Sequence, residues 1–249
     1  MNRLDQDGYA LIPYSAATAR WAQAAHDAAV PVIQDPQERA TWLRHQGTWF
    51  VGVDALPNAR DGSVGGVPLV VDGVTHDDWH RAQVSVVYPG YPKQDVGESD
   101  VNHRFRINRD AAHVDGLLLD PETGKRQLKE PHGFILGLPL NEASVDASPL
   151  VVWKGSHHIM SACFAQIFAG IDPKDWGEVD VTTPYKAARK QCFETCERIE
   201  LPARVGEATL LHRHVLHGVA PWGEGAMAPP EGRMIAYFRP EVRVWGDWV

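Results

Sequence analysis

The sequence predicts a mainly β chain folded as a jelly roll, with helices ahead of the strands and inserted among them. Three observations carry this. Short apolar runs recur from residue 83 onwards, several of them closed or broken by glycine and proline. Helical periodicity is confined to two stretches, one ahead of these runs and one among them. Strands and helices do not alternate regularly, and no GxGxxG or GxxxxGKS loop occurs, which disfavours a doubly wound α/β sheet.

Asp7-Gly8-Tyr9, followed by Ala10-Leu11-Ile12, reads as a turn into a short strand. Residues 15–34 are alanine-rich with Trp21, Val30 and Ile33 spaced along them, as in a helix packed on something larger. The glycine-rich stretch 58–73, which contains Pro68, reads as a loop or short hairpin. Residues 83–88 form a strand that stops at Pro89-Gly90. Residues 133–140 are almost continuously apolar, as a strand buried on both faces is. Residues 149–153 form another strand, closed by Gly155-Ser156. A second helix is expected over 185–198, where charged and apolar residues repeat at helical spacing. Residues 199–211 are broken by Gly206 into two strands joined by a turn, and 233–239 alternate as a final strand. With no linker and no internal repeat, residues 1–249 read as one domain.

Composition narrows the function classes. A net charge of −8 disfavours nucleic acid or an anionic membrane surface as a partner. No apolar run approaches the roughly twenty residues a membrane span needs, and the first thirty residues do not read as a signal peptide. Cys163, Cys192 and Cys196 are odd in number and lack framework spacing, so a reducing cytoplasm is the expected location. Cys192-x3-Cys196 lacks the paired knuckles of structural zinc sites and reads as two buried thiols.

The chemistry-bearing pattern is His113-Val114-Asp115 with the later run His212-Arg213-His214-Val215-Leu216-His217. In an extended segment, side chains two apart share a side, so one short strand can offer His113 and Asp115 to one ion. With His217 they make two imidazoles and one carboxylate. That set holds a redox metal on one face and leaves the other open, as in non-haem Fe(II) oxygenases. His212 and His214 share a strand face and are read as flanking residues, able to hold a ligating imidazole's second nitrogen. Arg233 supplies the fork that a dicarboxylate co-substrate needs. Arg239, on the same face, is the competitor; Arg233 is preferred because it opens the strand nearer the metal-bearing turn. Arg104, Arg106 and Arg109 are either a receiver for an anionic substrate group or a solvated charged loop. Gln83 and Ser85 share one face of a core strand and are candidate pocket residues or satisfied buried polar groups. Two rival readings stay open. His212, His214 and His217 with Asp115 or a cysteine can form a zinc hydrolase site, and the chain can be a non-catalytic cupin-like metal- or ligand-binding module.

Four segments resemble the phytanoyl-CoA dioxygenase family in the broad sense, over most of the chain. Asp7-Gly8-Tyr9-Ala10-Leu11-Ile12-Pro13 resembles its N-terminal opening, and His113-Val114-Asp115 its first metal pair. Trp153-Lys154-Gly155-Ser156-His157 resembles its turn after a core strand. Leu216-His217-Gly218-Val219-Ala220-Pro221-Trp222, with Arg233 after it, resembles its distal histidine and arginine. The sequence departs from the pattern at Trp153-Lys154, at Val219 and Trp222, and in a longer loop over 223–232. The resemblance implies a double-stranded β-helix, cupin-like, holding Fe(II) on His113, Asp115 and His217. It further implies 2-oxoglutarate with its 5-carboxylate on Arg233, and O2 as oxidant. Succinate and CO2 are then released as a small-molecule substrate is oxidised, by hydroxylation in the simplest case. Gln83, Ser85, Arg106 and Arg109 are its candidate contacts.

Overall fold

In the computed structural model, which describes residues 2–202 and 204–249, the chain opens with helix α1 (Asn2–Asp7) and strand β1 (Tyr9–Ile12). Helices α2 (Ala16–Gln34) and α3 (Pro36–Trp42) follow, then strands β2 (Leu43–Arg44), β3 (Trp49–Gly52) and β4 (Gln83–Val87). Helix α4 (Asp100–Asn108) precedes a small hairpin of β5 (Leu117–Leu119) and β6 (Arg126–Leu128). Next come β7 (Phe134–Pro139), β8 (Leu150–Trp153), and helices α5 (Ser156–Phe168) and α6 (Thr182–Thr195). The strands end with β9 (Arg198–Leu201), β10 (Ala208–His212), β11 (His217–Val219) and β12 (Arg233–Phe238).

Two antiparallel sheets carry the fold. The larger has the order β1-β10-β7-β12-β4-β3-β2, and the smaller β11-β8-β9. His113 extends the smaller sheet through an isolated bridge to His217. Along the chain, β4 lies in the large sheet, His113 on the small, β7 on the large, and β8 and β9 on the small. The sequence closes with β10 large, β11 small and β12 large. A chain that winds between two sheets in this way is a double-stranded β-helix, the jelly roll expected from the sequence.

Alternation along each strand sorts residues into three cores. The outward residues Val84 and Val86 (β4), Leu136 and Leu138 (β7), and Met234, Ala236 and Phe238 (β12) pack under α2. Their inward neighbours are Gln83, Ser85, Ile135, Arg233 and Tyr237. The small sheet sends Val151 and Trp153 outward beneath α5 and α6, to meet Met160, Phe164, Tyr185 and Cys192. Leu150 and Val152 point the other way and meet Ile135, Leu201 and Leu211 between the sheets. Strands apolar on both faces follow from helices covering both outer surfaces.

Helix α2 forms because Ser15 caps it, accepting the Thr18 N–H, and because Thr18, Trp21, Ala22, Ala25, Ala29 and Ile33 make one buried stripe. Trp21 Nε1 donates to the Gly62 carbonyl at 2.8 Å, pinning the loop over 58–73 to this helix. Helices α3 and α4 bury no residue and so lack a stripe; their signals are caps, from Asp35 with Pro36 and from Ser99. Residues 104–108 are therefore helix rather than the solvated loop considered above. Helix α6 starts before residue 185 and ends at Thr195, so Arg198 opens β9 instead of closing the helix. The segment around Gly206 does not join a hairpin: β9 and β10 lie in different sheets, and Ala203 between them is outside the described residues. Among the described residues, no helix is long and apolar enough to cross a membrane.

The N-terminal segment is clamped by the turn after β8. Gly155 N–H donates to the Asp7 carbonyl at 2.9 Å, and His212 N–H to the Gly8 carbonyl at 2.9 Å. His157 Nε2 lies 3.0 Å from the Asp5 carbonyl. Gly8 has φ +85, and a Cβ there would come within 2.6 Å of His157 Nδ1, so both conformation and space require glycine. Behind the clamp, burial pulls the His212 imidazole down to about 4, with His157 and Arg213 adding like charge. Because the folded value lies below the usual 6.5, His212 favours folding while neutral. Its contribution is full above pH 6.5 and is lost as pH falls toward about 4. Thermal denaturation across that range should show Tm falling, with a shallower fall in His212→Gln; parallel curves would show that His212 is not a source of the acid lability.

Candidate metal centre

The segment around residue 113 and the start of β11 meet at one end of the barrel. His113 N–H donates to the His217 carbonyl at 2.8 Å, and His217 N–H to the His113 carbonyl at 3.0 Å. Each imidazole Nδ1 faces a main-chain carbonyl 3.0 Å away, Ala111 for His113 and Val215 for His217. A carbonyl only accepts, so in the neutral ring the proton sits on Nδ1 and Nε2 keeps a free lone pair. Those Nε2 atoms lie 3.0 and 3.6 Å from Asp115 Oδ1. All three ligand atoms fall within 4.8 Å of one another. Asp115 and His217 are 10% and 9% exposed against 47% for His113, so the trio opens on the His113 side.

The electrostatics suit a cation. Burial pushes the Asp115 carboxyl up, but the His217 charge, hydrogen bonds that the two imidazoles donate from Nε2 when protonated, and Arg239 hold it well below the ordinary carboxylate range. Burial pulls His217 down, yet Asp115 beside it raises it overall. A proton and a metal ion compete for the same nitrogen there.

Residues outside the trio hold its backbone in place. Val114 buries its side chain in the core beneath α5 and α6 and donates its N–H to the Tyr185 hydroxyl at 3.1 Å. The Asp110 carboxylate, 3% exposed, accepts from Arg198 Nε at 2.8 Å and Nη2 at 2.9 Å. Ser156, part of the family-like turn, accepts the Leu216 N–H at 2.8 Å, one residue before His217. That bond gives the Gly-Ser turn a physical role. Gly218 completes the arrangement: a Cβ there would overlap the Asp110 carbonyl, which accepts the Val219 N–H at 3.0 Å.

The other candidates fall in distinct places. Gln83 and Ser85 line, with the trio, a cavity of about 330 Å³ walled by Ile135, Leu150 and Leu211. Both are partnered: Gln83 Oε1 accepts from Arg239 Nη2 at 2.6 Å, and Ser85 Oγ from Trp49 Nε1 at 3.0 Å. Arg106 is paired with Glu98 at 3.1 Å, and Arg109 stacks over the Phe193 ring at 5.0 Å. Arg104 is exposed on α4. His214 turns away from the trio to meet Ser161 Oγ at 2.7 Å, and His212 stacks beside His157. The zinc set built on His212 and His214 is therefore not assembled; among the described residues the one converging group is His113, Asp115 and His217. Cys192 is buried and Cys196 half-buried.

The two arginines reverse the expected order of distance. Arg239, not Arg233, stands against the trio, with Nη1 3.5 Å from Asp115 Oδ2. Residues 220–232 carry the chain away from His217, so β12 runs back and its end arrives at the metal side. Arg239 is thus already engaged by Asp115 and Gln83. Arg233 is 7% exposed, and its Nη1 has no hydrogen-bond partner. Burial pulls its guanidinium down, offset by the Tyr237 hydroxyl and then by Tyr91. Tyr91 and Tyr237 both line the cavity.

No protein-family model and no curated protein matches the chain. Several solved structures are similar over nearly its full length. A non-heme alpha ketoglutarate dependent carbocyclase, SnoK from nogalamycin biosynthesis, is 14% identical, covers 97% of this chain and 86% of its own, and has a TM-score of 0.47. EctD from S. alaskensis, with 2-oxoglutarate and 5-hydroxyectoine, is 16% identical over 96% of this chain and 74% of its own, with a TM-score of 0.47. The epimerase SnoN, in complex with Fe3+, alpha ketoglutarate and nogalamycin RO, is 15% identical over 96% and 81%, with a TM-score of 0.48. Likenesses this distant assign no substrate to this chain.

His113→Ala and His217→Ala should each lose Fe(II) in a metal-content assay, whereas His214→Ala keeps it; the reverse pattern would move the distal ligand. Gly218→Ala should lower stability by about 1–3 kcal/mol through overpacking and weaken Fe(II) binding by displacing the segment over 110–113. Unchanged Tm and metal affinity would show that this close approach is not needed.

Proposed function

We propose that this chain is an Fe(II)- and 2-oxoglutarate-dependent oxygenase, one domain over residues 1–249, acting on a small molecule with release of succinate and CO2. The observation that carries the reading is the convergence of two Nε2 lone pairs and one ionised carboxylate oxygen on one point, beside a cavity large enough for a small molecule. Two nitrogens and one oxygen on one face suit a redox metal with open positions. A metal there, with 2-oxoglutarate and O2, supplies an oxidant for an unactivated C–H bond. The chain's own residues do the rest. His113 and His217 are held in one tautomer by backbone carbonyls, and Asp115 offsets part of the ion's charge. Ile135, Leu150 and Leu211 give the cavity an apolar wall that limits water.

Arg233 is the proposed partner of the co-substrate's distal carboxylate. Its case rests on charge rather than proximity to the trio: a buried guanidinium with a free N–H and no carboxylate within salt-bridge distance, among the described residues, is suited to a carboxylate ligand. Arg239, held by Asp115 and Gln83, has less to offer. Gln83, Ser85 and Trp49 are proposed to face substrate from the cavity wall.

The test is an anaerobic titration of the metal-free protein with Fe(II) and then 2-oxoglutarate, followed by visible absorption. A weak charge-transfer band requiring both components is expected. No band, with tightly retained zinc, would overturn the reading and favour a hydrolase or a non-catalytic module. Arg233→Ala should raise the Kd for 2-oxoglutarate by roughly thirty-fold or more, since losing one partner of a buried charge pair costs about 2 kcal/mol or more, while Fe(II) binding persists. If Arg239→Ala shows that pattern and Arg233→Ala does not, the roles are exchanged.

A further inference from the structure

A groove of about 710 Å³ runs outward from the exposed side of the trio, between α4, the β5–β6 hairpin and α6. Its charges do not balance. Its carboxylates are Glu98, paired with Arg106 at 3.1 Å, Glu130, beside His132 at 3.2 Å, and Asp115 of the trio. Arg239 is taken by Asp115 and Gln83. Arg126, Arg189 and Lys186 remain, and among the described residues none has a carboxylate within 4.0 Å. Five arginine and lysine side chains against three carboxylates leave the groove lining positive in a chain of net charge −8.

The two arginines are held by neutral groups on either side of the metal pair. Arg126 Nη1 donates to the Leu117 carbonyl at 3.0 Å, and Arg189 Nη1 to the Ala112 carbonyl at 3.5 Å. The Arg189 guanidinium also lies 4.6 Å from the Phe105 ring centroid and 5.4 Å from that of Tyr185. Arg126 uses one N–H of five in a normal hydrogen bond and Arg189 one in a long contact, leaving donors free for an oxyanion. Both guanidinia are half-buried, so salt screens them less than surface charges.

We propose that this groove binds an oxyanion, carboxylate or phosphate ester, carried by the substrate at a distance from the carbon to be oxidised. Arg126 and Arg189 hold it, and Lys186 attracts it from the outer rim. The proposal deepens the oxygenase reading and rests on it for the word substrate. It also moves the anion-receiving role from Arg106 and Arg109, which are already engaged, to three cations on other elements.

The experiment is calorimetric titration of the metal-free protein, at low ionic strength, with hexyl phosphate, hexanoate and hexanol. One of the two anions should bind at least ten-fold more tightly than hexanol, hexyl phosphate if the group is a phosphate ester and hexanoate if it is a carboxylate. Arg126→Gln with Arg189→Gln should weaken that anion at least ten-fold, Arg126→Lys with Arg189→Lys should keep most of the binding, and Lys174→Gln, outside the groove, should change nothing. Should the glutamine pair fail to fold by circular dichroism, the exposed Lys186→Glu carries the test, with several-fold weakening expected. Equal affinity for anions and hexanol, or wild-type anion affinity in the folded groove variants, overturns the proposal. The absorption titration separates the two readings. A band in wild type without anion binding sinks the groove alone, and anion binding without a band sinks the oxygenase and leaves the anion site standing.

Discussion

The rest of the site depends on the pair of main-chain hydrogen bonds between His113 and His217. Side chains that could share one ion must be held to fractions of an ångström, and these come from segments far apart in sequence. A reciprocal backbone bridge fixes their separation before any side chain acts. The surrounding residues then keep the bridge in register. Arg198 grips Asp110 from β9, Tyr185 takes the amide of Val114 from α6, and Ser156 takes that of Leu216 from α5. All three approach from the outer side of the small sheet, so the apolar packing of α5 and α6 sets ligand geometry from behind.

The inner face of the large sheet shows the opposite economy. Arg233 is buried with a free N–H, and Tyr237 close by leaves its hydroxyl unpartnered. An isolated buried charge costs several kcal/mol, and such departures from local satisfaction concentrate at functional sites. Asp115 is the complementary case, an anion whose charge is supported by three cationic or polar neighbours.

What the sequence made legible follows from how local each signal is. Strands β7 and β8 were readable because both faces are buried, leaving nearly unbroken apolar runs, and β4 and β12 from partial alternation. Helix α2 was readable from its alanine stripe. Helices α3 and α4 have no buried stripe and depend on caps, and α5, whose stripe is Met160, Phe164 and Phe168, follows the turn that drew attention to itself. The trio was legible from residue type and spacing. Asp110, Arg198, Tyr185 and Ser156 were not, because each acts through a partner distant in the chain. The order of Arg233 and Arg239 was misread for the same reason. Position along a strand says nothing of which end returns to the site until the crossing over 220–232 is known.

Strand β12 lies between β7 and β4 at the middle of the large sheet, yet among the described residues it follows every other strand in sequence. A polypeptide emerging from the ribosome therefore holds β4 and β7 with their facing edges open until residue 238 is available. Strand β7 is apolar on both faces and β4 on its outer one, the kind of unpaired edge that invites association with other chains. The barrel closes at its middle, through pairings of long sequence separation that form slowly. The strand that ends this exposure also carries Arg233 to its buried place and brings Arg239 back to Asp115.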